Sequence, residues 1–113
     1  ENSLSIRGAV YNNIKMVTAK SYEVQPNDYT ILCNSLKNTI VITLPPACNN
    51  AGRIMTIKKT HTDKFKLNSN SVTIKVEEGG IDLKEQIIMK MNYSFRTLQS
   101  DGENWWIISS FGT

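Results

Sequence analysis

An all-β fold is predicted by three features of this 113-residue chain. Ile and Val number 19 against four Ala and seven Leu, and ten Thr add further β-branched residues. Such side chains lose rotamer freedom in a helix and pack well on a pleated surface. Twelve Asn and ten Ser supply polar turn residues. Short apolar runs of strand period are separated by clusters of Pro, Gly and Asn.

The elements follow in order. Strands are predicted at Ile14–Ala19, Tyr29–Cys33, Thr39–Leu44, Arg53–Lys59, Ser71–Val76, Tyr93–Gln99 and Asn104–Ser110, with a short extra one at residues 22–25. Pro26-Asn27-Asp28 suits a turn, because Pro presets φ and Asn and Asp bond their own backbone. Pro45-Pro46 ends a strand, since two missing N–H donors cannot serve a ladder. Asn49-Asn50-Ala51-Gly52 and Glu78-Gly79-Gly80 tolerate positive φ. Asp101-Gly102 between two apolar runs is the strongest hairpin signal. One segment disagrees. Asp82-Leu83-Lys84-Glu85 reads as a helix N-cap with an acid at N3, and Leu83, Ile87 and Met91 repeat at helical spacing.

Length and composition bound the rest. One domain with a thin core fits 12.7 kDa. With 40% hydrophobic and 20% charged residues the chain is not of disordered composition. It lacks an apolar run of the roughly 18–20 residues a membrane span needs. The sequence opens on Glu1 with no signal-like start, so a mature piece or excised domain is expected. A net charge of +3 does not by itself imply nucleic acid. Cys33 and Cys48 leave a disulfide and two free thiols both open, and no pair-of-pairs spacing suggests zinc.

Candidate chemistry is sparse. His61, the sole histidine, could be drawn with Asp63 and a cysteine as a nucleophilic site, but no local motif accompanies it and a polar hairpin loop is the plainer reading. Glu77-Glu78 cannot converge on one bond, because adjacent strand residues point to opposite faces. Asp101 and Glu103 read as a turn. Lys58, Lys59, Lys64 and Lys66 around Phe65 could bind single-stranded nucleic acid, although Asp63 interrupts the patch. Trp105 and Trp106 raise carbohydrate binding, with at most one of them free to act as a sugar platform.

Strand patterning bears on assembly. Val72, Ile74 and Val76 alternate with Thr73 and Lys75, giving one dry face. Trp105-Trp106-Ile107-Ile108 is apolar on both faces, and Thr39–Leu44 is nearly so through Val41. A central strand covered by loops is one explanation and burial against another copy of the chain is the other; oligomerisation is the expectation preferred.

From Tyr22 to about Ile108 the order of blocks resembles the C-terminal head (knob) domains of phage and viral fibre proteins, including collagen-like ones. The resemblance rests on Tyr22-Glu23-Val24 and Tyr29-Thr30-Ile31 around a turn, then Ile42-Thr43-Leu44-Pro45 with Ala47. Gly52-Arg53-Ile54, Ile57-Lys58-Lys59-Thr60 and Ser71-Val72-Thr73-Ile74 follow. Ile81-Asp82, Tyr93, Thr97-Leu98, Ser100-Asp101-Gly102, Asn104-Trp105 and Ile107-Ile108 complete it. Such heads commonly place Gly after the Ile-Asp pair, where this chain has Leu83. Residues 86–91 would be extended or irregular in such a head, against the local helix signal.

The resemblance implies a small antiparallel β-sandwich or β-barrel-like head assembling as a homotrimer, over residues 21–113. Residues 1–20 would be a shaft-proximal segment or an extra strand. It implies a virion-surface fibre tip that registers three chains and attaches to a host receptor, possibly a glycan. No catalysis, cofactor, metal, nucleic acid or membrane insertion is expected. The trimer interface is assigned to Trp105, Trp106, Ile107, Ile108, Phe111 and Val41, and receptor contact to loops carrying His61, Thr62, Asp63, Lys64, Asn49 and Asn50. A monomeric carbohydrate-binding module is the alternative.

Overall fold

The computed structural model describes residues 3–60 and 70–113. Among them nine strands form: β1 (Ile14–Val17), β2 (Ser21–Glu23), β3 (Thr30–Cys33), β4 (Ile40–Leu44), β5 (Ile54–Lys59), β6 (Val72–Val76), β7 (Gln86–Met89), β8 (Phe95–Ser100) and β9 (Trp105–Phe111). The one helical element among the described residues is a 3-10 turn at Ala47–Asn49, directly after Pro45-Pro46 closes β4. All-β is the class, and every strand read from the sequence is present to within two residues at either end.

The pairing departs from the antiparallel expectation. One sheet runs β1-β3-β5-β8-β9 and the other β2-β4-β6-β7. β1–β3, β3–β5, β2–β4 and β4–β6 are parallel; β5–β8, β6–β7 and β8–β9 are antiparallel. From β1 to β6 the chain crosses to the other sheet at every step and stacks parallel on the strand two before it. The first half is thus a flattened coil, and β7 with the β8–β9 hairpin finishes the two sheets. Parallel neighbours need a long crossover, which here is the intervening strand of the opposite sheet. The turns of the coil are unequal: Ile14 pairs with Thr30, and Thr30 with Thr56. Both sheets stay open, so the fold is not a closed barrel.

The core lies between the inner faces. Ile31, Cys33, Met55, Ile57, Leu98 and Trp105 from one sheet join Ile40, Ile42, Leu44, Val72, Ile74, Val76 and Met89 from the other. Period-two alternation places them, as in β4 and β6, where every second residue is buried. β1 is an edge strand of the first sheet, and residues 3–13 before it are exposed and outside regular structure.

Residues 82–91 resolve against the helix. Asp82 and Leu83 both take positive φ, +50° and +67°, between the reciprocal amide bonds of Ile81 and Lys84. Two left-handed residues in a two-residue loop are what a type I′ turn requires. Asp82, which reads as a helix N-cap, instead accepts the Ile107 amide on its Oδ1 at 2.9 Å. β7 then pairs with β6, burying Met89 and half-burying Ile87 while Met91 stays exposed. A two-turn helix is marginal alone; four ladder residues and a period-two dry face outweigh it. Gly80 is needed here, because a Cβ would lie 3.0 Å from the Leu83 Cα.

Leu83 is 73% exposed, so it has little packing to offset a left-handed backbone. Leu83→Gly is expected to stabilise the chain by about 1 kcal/mol, read as a higher urea midpoint. An unchanged or lower midpoint would mean that the leucine side chain makes contacts worth more than the backbone relief.

Candidate functional site

The two adjacent tryptophans separate as strand geometry demands. Trp105 is wholly buried among both sheets, and its Nε1–H donates to the Pro45 carbonyl at 2.9 Å. Of the six residues assigned to a subunit contact, Trp105 therefore belongs to the core of the single chain. Trp106 is 37% exposed, Ile108 52% and Phe111 50%, while Ile107 and Val41 are half-buried.

The exposed three belong to an outer sheet face of uneven chemistry. In register across it run Met16, Leu32, Lys58, Phe95 and Phe111 as one rank. Ile14, Thr30, Thr56, Thr97 and Ser109 form the second. Ile54, Gln99 and Trp106 form a third, with Ile108 at the irregularity between the last two. The Phe95 and Phe111 rings stack at 6.4 Å, the Lys58 ammonium lies 5.8 Å from the Phe95 ring, and Thr56 and Thr97 share a hydroxyl bond at 2.9 Å. Lys58 is the one charge in these three ranks. The opposite sheet's outer face is more polar: Ser21, Val41, Thr73 and Ile88 form one rank, half apolar and carrying the assigned Val41 on the far side from Trp106 and Phe111, and Glu23, Thr43, Lys75 and Gln86 form the next.

Trp106 stands in an open cleft of about 490 Å³ with Gly52, Gln99, Ser100, Asp101 and Ile108. The hairpin turn builds it. Gly102 takes φ +97°, and the Asp101 Oδ1 accepts the amides of Glu103 and Asn104, each at 2.8 Å. Its Oδ2 accepts the Trp106 Nε1–H at 2.8 Å. Those amides, first Asn104's, together with the indole donor, hold the Asp101 carboxyl below its ordinary value of 3.8.

The receptor-loop assignments fare differently. His61, Thr62, Asp63 and Lys64 lie outside the described residues. Asn50 is a structural residue: its amide donates to the Pro46 carbonyl and its Oδ1 accepts from Arg53. Arg53 also donates to the carbonyls of Gln25 and Asp28 at 2.8 Å, clamping the Pro26 turn. Asn49 is exposed.

The basic patch loses a member. Lys59 is wholly buried, donating to the Asn92 Oδ1 at 2.9 Å, and burial lowers its pKa. The sequence conceals this, because Lys59 occupies an inward position of β5 that the strand period alone would give an apolar residue. Cys33 and Cys48 are free thiols; Cys33 is buried and pushed up to about 12 by desolvation, and Cys48 is exposed. A nucleophilic role for Cys33 has no support in that setting. Glu77 and Glu78 are exposed, with Glu77 3.9 Å from Lys75. Among the described residues no three His, Cys, Asp or Glu side chains are grouped to hold a metal ion. No helix among them is long and apolar enough to cross a membrane.

Comparison with protein-family models and with curated proteins finds no match for this chain.

A thiol reagent should label one cysteine in the native chain, Cys48, and both after denaturation; native labelling of Cys33 would contradict its burial. Asp101 has a depressed folded pKa, so its contribution is complete above 3.8 and disappears as pH falls through the folded value. Acrylamide quenching, to which buried Trp105 is insensitive, should stay constant from about pH 8 to 5 and change only in stronger acid. A change that begins near neutrality would rule out Asp101 as the residue that fixes Trp106.

Proposed function

We propose that the chain is the head of a fibre, assembling through the outer face of its five-stranded sheet as a homotrimer that attaches to a host surface. One observation carries the assembly: that face presents Met16, Leu32, Phe95 and Phe111 in a single rank with Lys58 as its only charge. An apolar rank across five strands gains about 25 cal/mol per Å² when covered.

In the leading segment Leu4, Ile6, Val10 and Tyr11 are all more than half exposed. This segment feeds directly into β1, whose Ile14 and Met16 are exposed on the same outer face. Three copies brought together on this face would cover it and shield the open β1 edge. The number three comes from the resemblance to fibre heads, since twofold pairing is the commoner outcome. Attachment to a receptor, and location at a virion's fibre tip, rest on the same resemblance; weak contacts repeated on each copy would gain by multivalency. A monomeric carbohydrate-binding module is the second reading, favoured by the fixed, exposed indole of Trp106.

Light scattering behind a sizing column should give a mass near three times 12.7 kDa. Phe111→Lys, which places a charge beside Phe95, should lower that mass towards the single chain without unfolding it. A monomer at milligram concentrations in the unmutated chain would overturn the assembly, and twice the chain mass would replace trimer by dimer.

A further inference from the structure

We infer that the cleft beside Trp106 is a binding subsite for a neutral, hydroxyl-rich sugar ring, which deepens the attachment reading by naming the receptor chemistry as glycan. The argument starts from what the indole still offers. Its one donor is satisfied inside the chain, because Nε1–H donates to the Asp101 Oδ2. What remains exposed is hydrocarbon with a π face, held in one orientation by that bond. A flat apolar surface of fixed orientation loses little freedom on binding, and the C–H face of a pyranose is its natural complement. Ile108 borders the same cleft and extends the apolar floor.

The rim selects the ligand's polar groups. Asp101 Oδ1 is occupied by two amides, while Oδ2 accepts only the indole and retains acceptor capacity. Gln99 uses one Nε2–H on the Gly52 carbonyl at 3.2 Å, which leaves its Oε1 to accept and a second N–H to donate. Ser100 is committed, donating to the Ala47 carbonyl and accepting the Gly102 amide. The free groups on the rim are thus chiefly acceptors, and they call for a ligand rich in donors. Hydroxyls answer that demand. The charge answers a second question: the six lining residues include one ionised group, and it is a carboxylate. Sialylated, sulfated and phosphate-bearing ligands would meet a repelling anion with no lysine or arginine in the cleft to offset it. A volume of about 490 Å³ is within the roughly 300–1,000 Å³ of small-ligand sites.

This assignment moves Trp106 from subunit contact to ligand. The geometry permits the separation. Phe111 lies five residues along β9, two ranks away on the outer face, or roughly 13 Å at the spacing of alternate strand residues. An apolar rank at that end can be covered while the cleft at the hairpin end stays open, one on each copy.

The test uses the full chain and neutral homo-oligosaccharides of glucose, galactose and mannose, with sialyllactose as the anionic probe. Because Trp105 is buried, a change in tryptophan fluorescence and protection from acrylamide report on Trp106. At least one neutral oligosaccharide should bind and protect the indole. Trp106→Ala should weaken that binding about tenfold or more, with the scattering mass unchanged. Trp106→Phe, which keeps a ring but loses the bond to Asp101, should lie between. Should Trp106→Ala fail to fold, the phenylalanine variant and the protection of the unmutated chain decide. The subsite is overturned by no binding across the neutral panel at millimolar concentration, or by equal binding in the Trp106 variants. Preference for sialyllactose overturns it too, as does a fall in mass on Trp106→Ala, which would return the residue to the interface. An oligomer that binds no sugar leaves the fibre-head reading standing, and a monomer that binds one leaves the subsite.

Discussion

Trp105 occupies the place where both sheets and two turns meet, and its burial constrains everything around it. The indole fills the core between the inner faces and reaches the Pro45 carbonyl at the end of β4, tying the five-stranded sheet to its neighbour. Its backbone holds the other side: the amide donates to Gly80, and the carbonyl accepts from Asp82 at the left-handed turn. A buried Trp contributes on the order of several kcal/mol, and removing one leaves a large cavity.

The same burial orients the functional surface. With Trp105 pointing in, strand alternation turns Trp106 out, onto a face where the hairpin's own aspartate can take its N–H. One carboxylate thereby caps two turn amides and fixes an aromatic ring, so the turn that reverses the chain also sets the cleft. Further along β9, Phe111 pairs with Phe95 and continues the apolar rank towards β1. The opposite sheet carries Glu23, Thr43, Lys75 and Gln86 at equivalent outward positions. The asymmetry between the two outer faces is what makes one of them the stronger candidate for covering by a further copy.

Strand positions were legible because period-two alternation and turn chemistry are local. Val72, Ile74 and Val76 face inward as their spacing predicts, Pro45-Pro46 stops β4 at Leu44, and Asp101-Gly102 makes its hairpin. The direction of pairing was not legible. An inward-facing strand has the same pattern whether its neighbour runs parallel or antiparallel, and the coil repeats at no fixed interval that would betray it. β7 was ambiguous for a different reason: Leu83, Ile87 and Met91 fit a helix as well as Ile87 and Met89 fit a strand, and only pairing with β6 decides. Lys59 was not read as buried, since the period through Met55 and Ile57 marks its position as inward but a lysine's charge argues for solvent.

The sequence by itself determined the class of the fold, the places where the chain turns and the opposite fates of two neighbouring tryptophans. Each of these depends on residues close together in the chain. Tertiary structure alone decided which strands became neighbours and which tryptophan went inside. These outcomes depend on contacts between residues far apart in sequence, such as Trp105 with Pro45 and Phe95 with Lys58. Burial in a shared core, which no short segment can evaluate, chooses among patterns that are locally equivalent.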